Sequence, residues 1–401
     1  MSEMTTNGSA TDIQSEGTTT DNIGMRHNGR FRWTVMVYFA ADDVGEPGKA
    51  NLEKIKMAGS DDNVAMIAQF NPSGNTQTTR YWLRNGTHLE EDVVERLSNI
   101  ETGNPKSLID FVKWGIGNAP ADHYMLVLWG HGDGWQSEDN AGRAAGRTVQ
   151  RKIDAEKIKR FLKGAGLDRE KIDEMPGEQL DKLLDTLVLL PDWVIRDMRS
   201  PDIMDGKELK AALTKISKES LGGGKIDILG MDSCLMAMIE VGYQVRDSVR
   251  LMVACEDVEP IESWPYDFIL SELKKHPDMD AEQFGQVIVR KYTISYVERK
   301  DFVTQSVCDL SKADDLGMAI STLAKRLEAA LDHPDLRTKI IVARAMAQPY
   351  YVRDYVDLYD FCDILCSVIG SERDPISTEC EVVKRLISEH PNRLVPDRAH
   401  L

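Results

Sequence analysis

No run of apolar residues in this chain approaches the roughly 18 that a membrane helix requires, so no membrane partner is expected. The first 30 residues, MSEMTTNGSATDIQSEGTTTDNIGMRHNGR, lack both an apolar stretch and a basic leader. They read as a disordered polar tail without an export signal. Cysteine is sparse, six in 401 residues (234, 255, 308, 362, 366 and 380), with no CxxC pair and no framework spacing. A reduced, cytoplasmic setting follows as the expectation. Cys362 and Cys366, four apart on an expected helix, suit core thiols better than a zinc site. Positive charge is short as well: 49 Lys and Arg face 66 Asp and Glu, a formal −17. Nucleic-acid binding needs clustered cations, so that partner is not expected. The acidity is compatible with a cationic substrate, and solubility alone explains most of it.

What the chain does contain is enough apolar material, 42%, for a packed core. Residues 33–41 (WTVMVYFAA), 63–70 (NVAMIAQF), 123–132 (HYMLVLWGHG), 225–234 (KIDILGMDSC) and 250–254 (RLMVA) are apolar runs of strand length. Such runs are buried on both faces of a parallel sheet. Residues 304–310 read as a short further strand and 78–84 as a hairpin arm. Helices are expected over 47–58, from Asn104-Pro105 onward, and over 235–246, 265–275 and 281–297. Four more follow at 313–331, 338–346, 358–368 and 379–389. Strands alternating with helices predict an α/β fold, a mostly parallel, doubly wound sheet with helices on both faces. The expected division is a tail over 1–30, an α/β domain over 31–310, and a helical C-terminal part over 311–401 packed on it. A long connection, 134–224, interrupts the domain as a helical insertion. Its stretch 143–171 carries ten basic and four acidic side chains, which a solvated helical insertion would explain.

Ligands of open α/β sheets bind at the carboxyl ends of the strands. His131 and Cys234 each follow a buried run directly. If those two strands are neighbours, imidazole and thiol emerge on one rim, as a nucleophile and its acid/base partner require. A helix starting at Leu235 would place the Cys234 sulfur at its positive end, which favours thiolate. The N–H groups of Gly132 and Cys234 could then hold the oxyanion of a tetrahedral intermediate. Alone, a strand-end histidine is more often a cap or core residue, and a strand-end cysteine a small buried hydrophobe. Together they carry chemistry.

YMLVLWGHGDGW (124–135) resembles the histidine motif of clostripain-type cysteine peptidases, and GMDSCLMAMIEVGYQVRD (230–247) resembles their cysteine motif. ACEDVEPIESWPYDFIL (254–270) is similar to the segment after the next strand, with its Glu-Pro and Trp-Pro-Tyr-Asp. WTVMVYFAADD (33–43) and YVDLYDF (355–361) match weaker elements. The resemblance implies a caspase-like fold, shared with gingipain and separase, and a dyad of His131 and Cys234. It implies cleavage of protein or peptide substrates after Arg or Lys, with Asp232 lining the pocket for the basic side chain. Glu262 is a looser candidate for a second pocket acid, and a cap on the following helix is the alternative for Asp232. Cys255 stands where the family often has serine and reads as structural.

Family members are commonly activated by self-cleavage between the two motifs. Arg143, Arg147, Arg151 and Lys152 lie there, so a monomer or a self-cleaved two-chain form is expected. No cofactor is required and no metal site is predicted. Some members need calcium, and the acids at 42, 43, 256, 257 and 259 could serve a cation, although no EF-hand loop is present. The chain departs from secreted members in lacking an export signal, and HPNRLVPDRAHL differs from their usual end. Two other classes stay open. One is a metal-dependent hydrolase using His131, Asp133 and Asp42-Asp43, and the other a non-catalytic caspase-like interaction module.

Overall fold

The computed structural model describes residues 29–40, 45–71, 77–98, 100–132, 134, 204–297, 299, 302–352 and 354–388. The apolar runs form the centre of an eight-stranded sheet in the order β4-β3-β2-β1-β5-β6-β7-β8. Strands β1 (Phe31–Phe39), β2 (Val64–Phe70), β5 (Ala121–Trp129), β6 (Ile226–Asp232) and β7 (Val249–Ala254) run parallel to one another. Both faces of this centre are covered, so Val35, Met36, Val37, Val64, Ala65 and Met66 are all fully buried. Antiparallel strands flank it. β3 (Gln77–Trp82) and β4 (Val93–Ser98) extend one side, and β8 (Ser306–Asp309) closes the other against β7.

Helices α1 (Gly45–Ala58), α5 (Tyr266–Lys275) and α6 (Ala281–Val297) cover one face, over Trp33, Val35, Val37, Ile228 and Leu251. Helices α2 (Pro105–Asn118), α3 (Gly206–Ser220) and α4 (Ile239–Val245) cover the other, over Met36, Tyr38, Leu126 and Leu229. Local chemistry sets the ends of two of them. Asn104 caps α2 by accepting from the Lys106 N–H, with Pro105 at the first helical position. Asp205 and Glu208 form a capping box on α3, whose buried Leu209, Ala212, Leu213 and Ile216 make one stripe. Burying each of the larger of these contributes about 1.5–3 kcal/mol. The helix expected from residue 235 begins four residues later, at Ile239.

Beyond β8, α7 (Ala313–Ala330), α8 (Pro334–Met346), α9 (Leu358–Ile369) and α10 (Pro375–Ser388) surround a separate core that includes Leu323, Ala343, Leu365 and Val383. Cys362 and Cys380 are buried in it, and all six cysteines are unbridged. This part meets the sheet domain through α4. Arg246 Nε donates to Asp314 Oδ1 at 2.7 Å, and a Cβ at Gly317 would come within 2.9 Å of the Tyr243 ring. The connection between α8 and α9 folds back toward the carboxyl end of the sheet, where Tyr351 N–H donates to Asp257 Oδ1 at 3.0 Å. Among the described residues, no helix is long and apolar enough to cross a membrane.

Candidate active site

Adjacent strands bring the two motif residues to one place. In the β5–β6 ladder Trp129 lies opposite Asp232, and the Gly130 N–H still donates to the Asp232 carbonyl at 3.2 Å. His131 and Cys234 each stand two residues past that pair, at matching heights beyond the carboxyl edge of the sheet. The loops that carry them touch. A Cβ on Gly132 would sit 2.2 Å from the Cys234 carbonyl oxygen, a collision with backbone, so only glycine fits. His131 is exposed and Cys234 is half-buried.

The turn that carries Cys234 is held by tertiary hydrogen bonds instead of by a helix. Leu235 N–H donates to the Asp257 carbonyl at 3.0 Å, and Ala237 N–H to the Cys255 carbonyl at 2.8 Å. These bonds fix Leu235 at a φ of +63°, a left-handed conformation that costs a non-glycine residue about 1–2 kcal/mol. Helix α4 cannot start until that turn is complete, with Met238 as its N-cap. The Cys234 sulfur therefore does not stand at a helix N-terminus. It receives the Glu259 N–H at 3.2 Å instead. The thiol in turn donates to the Glu259 carbonyl at 3.9 Å. Cys255 is buried, and its thiol donates to the carbonyls of Ser233 at 3.3 Å and Asp257 at 3.1 Å. Burial pushes the Cys255 thiol far up, so it braces the turn and stays protonated.

Asp232 turns away from the rim, toward the face covered by α5 and α6. Its carboxyl is almost fully buried, and Oδ2 accepts from the Ser263 hydroxyl and, at 2.5 Å, from the Tyr266 hydroxyl. Ser263 is itself fixed: its Oγ accepts from Trp129 Nε1 at 3.0 Å, and its carbonyl from the Tyr296 hydroxyl at 2.8 Å. Asp232 is thus no cap on α4. Burial pushes its pKa up to about 6, against the hydroxyl donors that pull it down.

The acid placed beside Asp232 is Glu259, not Glu262. Burial and the neighbouring Asp232 charge hold the Glu259 carboxyl well above the usual carboxylate range. Glu262 is exposed, pairs with Arg299 Nη1 at 3.3 Å, and offers its carbonyl to Lys54 Nζ. Burial lowers the Lys54 pKa, and Asp232 is the first of the negative charges opposing that. The sequence carried a signal for Glu259 in its Glu-Pro pair, but nothing in the spacing distinguishes residue 259 from 262. Asp42, Asp43, Asp133, Arg143, Arg147, Arg151 and Lys152 lie outside the described residues. Among the described residues, no group of three or more His, Cys, Asp and Glu side chains could hold a metal ion.

The sequence model of the Clostripain family matches residues 37–157 and 191–392. None of the curated proteins matches the chain. Among solved structures, an inactive zymogen C11 protease from Parabacteroides distasonis superposes with a TM-score of 0.57 at 18% identity, covering 89% of this chain and 82% of that one. A secreted C11 cysteine protease from Bacteroides thetaiotaomicron, iotapain, superposes with a TM-score of 0.60 at 15% identity, covering 89% and 84%. A secreted C11 cysteine protease from the same organism, in complex with an irreversible peptide inhibitor, gives 0.50 at 17% identity over 74% and 71%. At these identities the likeness is one of fold.

Proposed function

We propose, for a chain that belongs to the clostripain family of cysteine peptidases, that it cuts peptide bonds after Arg or Lys with Cys234 as nucleophile and His131 as its proton partner. The Cys234 sulfur, supported by the Glu259 N–H, attacks the carbonyl carbon after the basic residue. The Gly132 and Cys234 N–H groups stabilise the oxyanion. His131 hands a proton to the leaving amine, and water then hydrolyses the thioester. One observation supports this reading: the register of β5 on β6, with the Gly132–Cys234 contact, brings the backbones of the two motif loops together at the carboxyl edge of the sheet.

The preference for a cation rests on the Asp232 carboxyl beneath the rim and on the Glu259 carboxyl beside it. Both are shielded from solvent, so the loop from Glu256 to Ser263 must shift before a side chain reaches them. That suits a chain that gains activity on cleavage between its two motifs, at Arg143, Arg147, Arg151 or Lys152, and persists as two associated pieces. The test compares wild type and Cys234→Ala on fluorogenic Arg, Lys and Asp peptides and on a denaturing gel. The expected result is hydrolysis of the basic peptides and two fragments for wild type only. Activity or fragmentation in Cys234→Ala would refute it. The shielded acids also favour a second reading, a non-catalytic module whose thiol is never engaged. It requires that wild type resist an arginyl active-site probe.

A further inference from the structure

The loop between β7 and α5 does two things with one residue. Through its backbone, Glu259 donates its N–H to the Cys234 sulfur at 3.2 Å. Through its side chain, it faces Asp232, the carboxyl two residues before that sulfur. The polar atoms around this acid pair are unusual for a protein interior. Both Glu259 carboxyl oxygens, Asp232 Oδ1 and the Tyr292 hydroxyl are shielded from water, and Glu259 makes its side-chain contacts with Asp232 and Tyr292 of the same cluster. Groups of this kind normally have partners when buried, since an unsatisfied one costs about 1–3 kcal/mol.

Two adjacent buried carboxyls cannot both be ionised without a cation between them, so they share a proton. The charge settles on Asp232, which accepts the Ser263 and Tyr266 hydroxyls, and Glu259 keeps the proton. The other titratable groups facing the pair are Cys234, Cys255 of the β7 end, Tyr266 of α5, and Tyr292 and Tyr296 of α6. None of these is a cation. Lys54 of α1 approaches Asp232 from the outside, with its Nζ engaged by Asn51 Oδ1 at 2.9 Å and by the Glu262 carbonyl.

We propose that Glu259 is a specificity-determining and positioning residue: it holds a proton in common with Asp232 while the pocket is empty, releases it when a guanidinium or ammonium group enters, and holds the nucleophilic sulfur through its own N–H. The proposal rests on the reading that the chain cleaves after basic residues. One proton passes to solvent for each cation bound, and the pocket changes from one negative charge to two. Because the same residue touches both groups, the loop shift that admits a cation also moves the N–H that holds the sulfur.

The experiment measures KM and kcat on an arginyl coumarin amide peptide between roughly pH 6 and 9, for wild type, Glu259→Gln, Glu259→Asp and Tyr292→Phe. Release of one proton makes the wild-type KM fall by up to about tenfold per pH unit until the pair is fully ionised. Glu259→Gln is expected to flatten that limb while the rate of Cys234 alkylation by iodoacetamide stays within about threefold, since the N–H remains. Glu259→Asp restores the limb. Tyr292→Phe moves it to higher pH, because the Tyr292 hydroxyl favours the ionised Glu259. A wild-type limb that persists in Glu259→Gln, or a wild-type KM independent of pH, would overturn the proposal alone. Wild type that leaves Arg and Lys peptides uncut overturns the underlying specificity as well, before any variant is compared.

Discussion

The two sides of the candidate site are built differently. On the cysteine side, the backbone of Leu235 and Ala237, the Cys255 thiol and the Glu259 N–H tie one turn to the end of β7 and the loop that follows. On the histidine side, His131 is exposed and its neighbour Gly132 makes room for the other loop by having no side chain. A nucleophile gains from being fixed, because the entropy of orienting it is lost once, on folding. An acid/base group must move a proton between two partners and profits from a place at the solvent-facing rim. The difference teaches that changes to the cysteine turn and to the contacts that hold it, Gly132 among them, act on geometry, and changes to the His131 imidazole act on proton transfer.

Three substitutions probe that division, in falling order of expected effect. His131→Ala is expected to lower kcat by about 10²–10⁴-fold, the usual worth of positioned acid–base catalysis, with an unchanged melting temperature. A melting temperature lowered by several degrees would show instead that the imidazole braces the fold. Gly132→Ala forces a methyl group against the Cys234 carbonyl. It is expected to destabilise by about 1–3 kcal/mol, as overpacking does, and to lower kcat with little change in KM. A kcat equal to wild type would separate the loop contact from catalysis.

The third change concerns pH. The Tyr266 hydroxyl pulls the Asp232 pKa down, so Tyr266→Phe lets it rise from about 6. Asp232 is then less ionised at neutrality. KM for an arginyl peptide is expected to rise a few-fold near pH 6 to 7 and to converge on wild type at higher pH, where the carboxyl is ionised in both. Equal KM values throughout would place Asp232 outside the pocket.

Much of this was legible in the chain. The runs WTVMVYF, MLVLW and DILGMD read as buried strands, and the adjacency of the last two, which the sequence left as a condition, is supplied by the sheet order. The motifs then named His131, Cys234 and Asp232. What the pattern concealed has one physical origin. LMAMIEVGYQVR has helical periodicity from its first residue, yet hydrogen bonds to Cys255 and Asp257, distant in sequence, hold Leu235 and Ala237 out of the helix. The same loop brings Glu259 inward and leaves Glu262 outside. Periodicity reports burial along one element, and it is blind to a latch supplied by another.

The most direct test of the account treats the protein with a peptidyl-arginyl acyloxymethyl ketone and maps the adduct by mass spectrometry. The account predicts one adduct per chain, on Cys234, which is lost in Cys234→Ala and slowed in His131→Ala. An adduct on Cys255 or Cys308, or none on a folded chain that has been given time to process itself, would contradict it.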